Sequence, residues 1–469
     1  MHPNHSMTVR PNLVLAICCM SLLMVSMDIT IVNVALPALR RDLGAETAGL
    51  QWVIDAYTMV VASLLMLAGS LADRYGRRRT FQLGLVVFTT ASGLCSIAPG
   101  LHSLIVFRML QAVGASMLNP VAMSIITNTF IEPKARARAI GMWGAVVGIS
   151  MALGPLVGGA LTQTIGWRSI FWINIPIGAA AIALAQRFVP ESKAPRARRI
   201  DPVGQLLVLG GLASLTYAVI EGPRRGWDSP LIVGLFTCAV AAIIGILVYE
   251  PRRREPLLDL RFWSSIPFAS ATVIAVCMFA TFSGFLFLNA LYLQEVRGMS
   301  AFATGLCTLP LAVATSLCSP ISGRMIGRYG SRPSLMLAGG AVAVSALMLV
   351  GLEAATPLSW VITAYVMFGI GFGLVNAPIT NTAVSGMPRT QAGVAAAIAS
   401  TSRQVGASLG VAIGGSIAAS SSNFVVSTHA FWWIVAAIGV LVVILGRAST
   451  GVYARSTVDR IGALLDPAT

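Results

Sequence analysis

The feature that most constrains this chain is a succession of long apolar runs. Between charged residues and Pro/Gly breaks there are fourteen, at 13–37, 49–72, 80–98, 103–127, 139–162, 168–187, 203–221, 231–249, 266–292, 302–323, 334–352, 358–379, 392–419 and 428–447. A helix needs about 20 apolar residues to cross the hydrocarbon layer. Each run meets that length, so the expected fold is an all-α polytopic membrane protein. The first run is too long for a signal-peptide core and has no small-residue cleavage site, so it is read as a retained span. An even number of spans places both termini on one side.

Composition excludes the main alternatives. Of 469 residues, 56% are hydrophobic and 10% charged. Disorder requires low hydrophobicity, and a soluble multidomain enzyme could not cover so much apolar surface. The net charge of +15 would suggest a nucleic-acid partner in a soluble protein. Here the bases lie between spans, so no nucleic acid is expected. The seven cysteines lie in apolar stretches without a C-x-x-C, so neither a disulfide framework nor a zinc site is expected, and no metal.

The charge has a direction. With the N-terminus inside, 24 basic residues fall on inner segments, including Arg74, Arg77, Arg78 and Arg79 after the second span and Arg196, Arg198, Arg199, Arg254 and Arg389 further on. Six fall outside: Arg40, Arg41, Arg168, Arg224, Arg225 and Arg297. The positive-inside rule then sets both termini in the cytoplasm. Nine acids lie inside, among them Glu255 and Asp466, and six outside, so the whole excess of +15 faces the cytoplasmic leaflet and its anionic lipid. Asp28, Asp55, Arg108 and Arg403 are the charges within spans.

The chain also repeats. GSLADRYGRRR from Gly69 matches GRMIGRYGSRP from Gly323 at an offset of 254, and VGASMLN ending at Asn119 matches IGFGLVN ending at Asn376 at an offset of 257. Two related six-span halves with the seventh and eighth spans inserted between them account for both offsets.

GSLADRYGRRR resembles the signature between spans two and three of the major facilitator superfamily. MDITIVNVALP (27–37), RMLQAVGASMLNP (108–120) and GPLVGGALTQTIGWRSIFWINIPIG (154–178) resemble its 14-span drug:proton antiporter branch. The resemblance covers essentially the whole chain. It implies a six-helix bundle over residues 1–187, two inserted helices with flanking basic loops over 188–265, a second six-helix bundle over 266–447 and a cytoplasmic tail over 448–469. It also implies export of amphiphilic drugs against protons across the cytoplasmic (inner) membrane, by rocking of the bundles about a central cavity. No cofactor is expected, the proton gradient being the energy source. The expected partners are a small amphiphilic molecule, protons and lipid, with the chain acting as a monomer.

Individual residues sharpen this. Asp28 lies roughly 13 Å deep in the first span. Burial there is costly, so it is expected to face the bundle interior and to take up a proton readily, which suits a proton carrier. The bland alternative is an Asp held permanently ionised. Asp55 lies roughly 9 Å deep, as a second protonatable group or one that snorkels to the interface. Arg108 lies within RMLQAVG, where the resemblance associates the arginine with proton coupling. Similar depths suggest that Asp28, Asp55 and Arg108 form one cluster, either coupling element or fixed ion pair. Arg403, roughly 18 Å from the inner end of its span, needs a partner. The resemblance brings the second and thirteenth spans together, so Asp55 is that partner or the role is structural.

In the first loop, Gly69 and Gly76 allow close turns. Asp73 is expected to cap a helix across the bundle interface, with Arg74, Arg77 and Arg78 bonding helix ends, as a conformational latch or as topology signals alone. Gly148, Gly154, Pro155, Gly158 and Gly159 are an antiporter motif by resemblance, or generic small-residue packing. Asn33, Gln111, Asn119, Asn289 and Asn376 are expected to line a polar cavity.

There is no Walker loop and no nucleophile elbow with a base, so no enzyme is expected. Acidic groups in a low-dielectric cavity favour cationic amphiphiles as substrates, against which two intramembrane arginines weigh. A dedicated exporter of one antibiotic or metabolite is the second reading. A receptor or scaffold is the third, disfavoured by the cost of Asp28 and Arg108. For topology, a green fluorescent protein fused after Thr469 should fluoresce, and alkaline phosphatase inserted in the 44–46 loop should be active; the opposite pattern would reverse the orientation.

Overall fold

The computed structural model describes residues 10–193, 201–253, 259–387, 391–421 and 423–465. Arg196, Arg198, Arg199, Arg254, Glu255, Arg389 and Asp466 of the charge pattern lie outside the described residues. Each apolar run coincides with one helix to within about two turns at either end. These are α1 (Pro11–Leu43), α2 (Thr47–Tyr75), α3 (Arg77–Ser96), α4 (Leu101–Thr129), α5 (Pro133–Thr164), α6 (Ser169–Phe188, interrupted at Ile173), α7 (Pro202–Arg225), α8 (Pro230–Tyr249), α9 (Ile266–Leu291), α10 (Ala301–Tyr329), α11 (Ser331–Val350), α12 (Leu358–Ser385), α13 (Ala392–Ala419) and α14 (Phe424–Ala448). A last helix, α15 (Val452–Leu465), follows.

Among the described residues, twelve helices rather than fourteen are long and apolar enough to cross a membrane. The two left out are α3 and α13. The first opens on Arg77, Arg78 and Arg79, and the second carries Arg403 and Gln404 among many Ser and Gly residues, which lowers its mean hydropathy.

The repeat seen in sequence is a repeat of packing. In the first half α1 packs on α5, α4 on α2 and α3, and α3 on α6. In the second α9 packs on α13, α12 on α10 and α11, and α11 on α14. Gly114 of α4 lies on the backbone of Gly84 and Phe88 in α3, while Gly371 of α12 lies on the backbone of Ala338 and Val342 in α11. These crossings are related by the same offsets of 257 and 254. A side chain at either glycine would push the backbones apart. The α2–α3 and α10–α11 junctions each turn on one glycine of positive φ, Gly76 at 117° and Gly330 at 76°.

The halves meet through α5 with α10 and α13 with α2. Contact is confined largely to the end distal to the chain termini. There Arg40 on α1 pairs with Glu295 at 2.6 Å, and Gln294 donates to the Val34 carbonyl at 2.8 Å. A single apolar core runs through both halves at that end, joining Ile31–Leu39 to Phe285–Leu293, whereas the other end of α1 packs in a core of the first half alone. Along α5, Gly148 lies against Ser316 and Gly159 against the backbone of Ala301 and Phe302, but Gly141 and Gly144 have open space beside them, as do Gly323 and Gly327 of α10. The halves are thus closed at one end and parted at the end bearing the termini and the Asp73 loop.

Between them, α7 lies against both α2 and α13, while α8 packs chiefly on α7. Gln205 bonds the Ser63 carbonyl, Ser416 bonds the Val219 carbonyl, and Thr216 meets Ser408 at 3.5 Å. The inserted pair therefore bridges the seam between the halves. Among the tightest helix approaches is α13 on α9, with Gly406 and Gly410 seated on the backbone of Val276 and Ala280. Gly410→Val should lower stability by about 1–3 kcal/mol or more, since backbone leaves no room for the added methyls. It should appear as a lower melting temperature of the detergent-solubilised protein; an unchanged value would contradict this packing.

Candidate functional site

A polar cluster lies in the middle of the first half. Arg108 on α4 donates from Nη1 to Asp28 Oδ2 on α1 at 2.5 Å and to Gln111 Oε1 at 2.6 Å, and from Nε to the Val53 carbonyl of α2 at 3.2 Å. Its guanidinium lies 4.2 Å from the centre of the Tyr57 ring, a cation–π distance. Gln111 Nε2 donates to Asp28 Oδ1 at 2.9 Å and to Ser92 Oγ of α3 at 2.8 Å. Asn174 of α6 reaches Asp28 Oδ1 and Ser92 Oγ, both at 3.4 Å. Asp28 and Arg108 are each 1% exposed and Gln111 is fully buried.

Local structure explains how these groups arrive together. Asp28, Arg108 and Gln111 lie near the middle of continuous helices, and the last two are one turn apart on one face. Asn174 depends on the break in α6. Pro176 has no N–H for the Trp172 carbonyl and crowds it, so the helix is interrupted at Ile173. Ser92, Asn174 and Tyr57 were not singled out from the sequence. Asn174 was detectable as an amide within a span; the serine and tyrosine carried no such signal.

Neutral groups surround both members of the pair. Unpaired, either charge would cost several kcal/mol at this depth. If Asp28 is protonated, Arg108 retains Tyr57, the Val53 carbonyl and Gln111, and the carboxyl retains amide partners. Few residues then need move between the charged and neutral arrangements.

Asp55 does not join this cluster. It is fully buried on the opposite side of α2, with Thr58 donating to Oδ1 at 3.4 Å and Ser408 of α13 facing it, while Oδ2 has no hydrogen-bond partner among the described residues. Nor does it meet Arg403, whose Nη2 donates to Thr380 Oγ1 at 2.5 Å and to the Asn376 carbonyl at 3.3 Å. The neighbour of α13 at this seam is instead Gln51, which donates to the Val411 and Ala412 carbonyls at 3.2 and 2.8 Å.

The expected cavity amides divide. Gln111 belongs to the ion-pair network, and Asn289 is buried, accepting from Tyr365 Oη at 2.5 Å and donating to the Phe285 carbonyl at 2.8 Å. Both are removed from any cavity wall by internal bonding. Asn33 is 6% exposed and bonds its own helix at 3.0 Å. Asn119 and Asn376 are half-buried, and Asn119 Oδ1 has no partner among the described residues.

At the parted end, Asp73 accepts from Arg77 at 3.1 Å and, among the described residues, reaches no helix across the interface. The N-terminus of α3 is instead capped by Glu191, whose carboxylate takes the Arg78 and Arg79 N–H groups at 3.1 and 3.3 Å. Gly76 makes room for that carboxylate. Arg78 also reaches the Val189 carbonyl at 3.5 Å, Arg74 lies over Tyr75, and Gly69 has open space beside it. In the glycine-rich part of α5, Gly154 and Gly158 fit against Thr30 and Ile31 of α1, and Pro155 lies beside Gly305 of α10.

The family model of the Major Facilitator Superfamily matches residues 18–411. The chain belongs to that superfamily. The multidrug resistance protein Stp of Mycobacterium tuberculosis is 37% identical over 411 residues, 87% of this chain and 76% of that protein. The tetracenomycin C resistance and export protein of Streptomyces glaucescens is 35% identical, covering 88% and 76%, and the methylenomycin A resistance protein of Bacillus subtilis is 34% identical, covering 86% and 87%. The crystal structure of the human organic anion transporter MFSD10 superposes with a TM-score of 0.65 at 16% identity, covering 93% of this chain and 99% of that one. The last likeness shows the fold. The relatives are drug and antibiotic resistance proteins, and the superfamily is one of transporters, not enzymes.

Removing one charge of the buried pair should be worse than removing both. Arg108→Ala should cost about 3–5 kcal/mol, and Asp28→Asn combined with Arg108→Gln should recover much of that loss. Asn174→Ala should cost about 1–3 kcal/mol through the Asp28 and Ser92 bonds it leaves unmade. Denaturant unfolding in detergent measures all three; a double variant no more stable than Arg108→Ala would show that the pair is not coupled.

Proposed function

We propose that the chain is a proton-coupled antiporter that exports amphiphilic drugs or other toxic compounds across the cytoplasmic membrane by alternating access. Fourteen spans, with both termini in the cytoplasm, belong to this reading. The observation that carries it is the Asp28–Arg108 pair, 1% exposed on both sides and held by neutral partners. A purely structural pair gains nothing from its cost at that depth. Resistance to drugs and antibiotics among the relatives supports export over a receptor or scaffold role. The relatives named for one antibiotic each favour, as a second reading, a dedicated exporter, which a resistance profile over a panel of compounds would separate from a multidrug pump.

With the termini in the cytoplasm, the described conformation faces inward. The Asp28–Arg108 ion pair is then the proton-free arrangement, ready to admit substrate. In the outward-open state, protonation from the outer side would dissolve the pair's charge and favour return to the inward-facing conformation, where release of the proton restores the pair. A proton biases the equilibrium only through such a difference between states. The Asp73 loop, unengaged across the parted end, would be drawn together with the opposite half when the inner side closes. Asp55, buried at the α2–α13 seam with an unpaired oxygen, is a second group whose charge the same rearrangement would alter.

The test is transport in proteoliposomes under an imposed pH gradient, using the compound to which overexpression confers resistance. Wild type should show substrate-dependent proton flux that collapses with nigericin. Asp28→Asn should lose that flux roughly a hundredfold while still binding substrate. If Asp28→Asn retains both flux and its pH dependence, the carrier assignment is wrong.

A further inference from the structure

Arg403 differs from every other cation buried in the described helices. Arg108 has Asp28; among the described residues Arg403 is in no ion pair. Its Nη2 is held by Thr380 and the Asn376 carbonyl, while Nε has no partner. Two neutral contacts leave most of a five-donor guanidinium unspent within the bilayer, where an uncompensated charge is costly. The span carboxylates do not relieve it, since Asp28 is taken by Arg108 and Gln111, and Asp55 is enclosed at the α2–α13 seam.

The surroundings are aromatic. The Arg403 guanidinium lies 5.8 Å from the centre of the Phe279 ring on α9. Phe279 meets Phe372 of α12 at 5.2 Å, and Phe372 stacks on Phe282 at 4.1 Å with an interplanar angle of 11°. Phe372 and Phe282 are buried, whereas Arg403, Phe279, Asn376 and Thr380 are all half-buried. Three helices, α9, α12 and α13, thus present one accessible cation beside one accessible ring, with stacked rings behind it. A guanidinium fork takes a carboxylate bidentately, and an aromatic wall takes a flat ring.

We propose that Arg403 and Phe279 form a recognition site for planar aromatic molecules bearing a carboxylate or comparable anion, Arg403 taking the acidic group and Phe279 the ring. This rests on the export reading and names its substrate class. It departs from the cationic class that the span acids suggested, because those acids are engaged elsewhere. It also gives Arg403 its missing counter-charge from the cargo, so that binding relieves a cost already present in the empty protein.

The experiment titrates the purified full-length protein in nanodiscs by fluorescence polarisation with fluorescein, an anionic xanthene, and rhodamine 123, a cationic one with the same ring system. Wild type should bind fluorescein more tightly. Arg403→Gln should weaken fluorescein by roughly ten- to a hundredfold, the range for a charged hydrogen bond, and leave rhodamine 123 nearly unchanged. Arg403→Lys should fall between, because charge is kept and the fork lost. Should Arg403→Gln fail to elute as a single species, Arg403→Lys and Phe279→Leu carry the test, the latter weakening fluorescein severalfold. A preference of wild type for rhodamine 123, or fluorescein binding indifferent to all these variants, would overturn the proposal. An anionic headgroup offers the same chemistry, so the titration is run in phosphatidylcholine discs with and without phosphatidylglycerol; displacement of fluorescein by the anionic lipid would make lipid the partner and overturn the substrate assignment. Binding needs no pH gradient, so a loss of proton coupling and a loss of this site are read separately.

Discussion

The ion pair between Asp28 and Arg108 organises the first half of this transporter. In a layer without water, each charge must be matched inside the protein, and apart from Gln111, one turn from Arg108 on α4, the groups that help come from other helices. Tyr57 and the Val53 carbonyl come from α2, Ser92 from α3 and Asn174 from α6, around the pair contributed by α1 and α4. The interruption of α6 near Pro176 brings Asn174 within reach of the pair. The same neutral partners hold Arg108 and Asp28 in place beyond their bond to each other.

The second half repeats the backbone but not the chemistry. At the offset of 257, Arg108 corresponds to Tyr365, and Tyr365 bonds Asn289 on α9, the counterpart of α1. An uncharged pair thus joins the helices that an ion pair joins in the first half. Around it the second half is packed with rings, Phe285 against Tyr365, Phe368 and Trp432. Among the described residues, its charge deep in the membrane, Arg403, is offset from the symmetric position and in no ion pair. The two halves are therefore alike in backbone and unlike in lining: the first holds a buried ion pair, the second an aromatic wall beside a lone cation.

The inserted helices take their meaning from the same seam. α7 lies across both α2 and α13, with Gln205 bonding Ser63, Thr216 meeting Ser408 and Val219 accepting from Ser416. Bonding to both halves ties α7 to any motion between them.

What the sequence by itself determined were quantities that run along the chain. The apolar runs, the placement of bases at alternate loops and the offsets of 254 and 257 located fourteen helices but not Val452–Leu465, paired the halves and marked Asp28, Arg108 and Arg403 as charges needing partners. Bilayer thickness and the charge rule act on one dimension, so one dimension suffices to read them. Which partner each charge has was decided only by the tertiary structure. Asp55 and Tyr57 lie at nearly the same depth, yet two residues on a helix differ by about 200° in direction. Tyr57 therefore faces Arg108, while Asp55, with Gln51 one turn away, faces α13. Depth estimated from sequence carries no such angle, and neighbours across helices are set by rotation and tilt that only packing against the other helices determines.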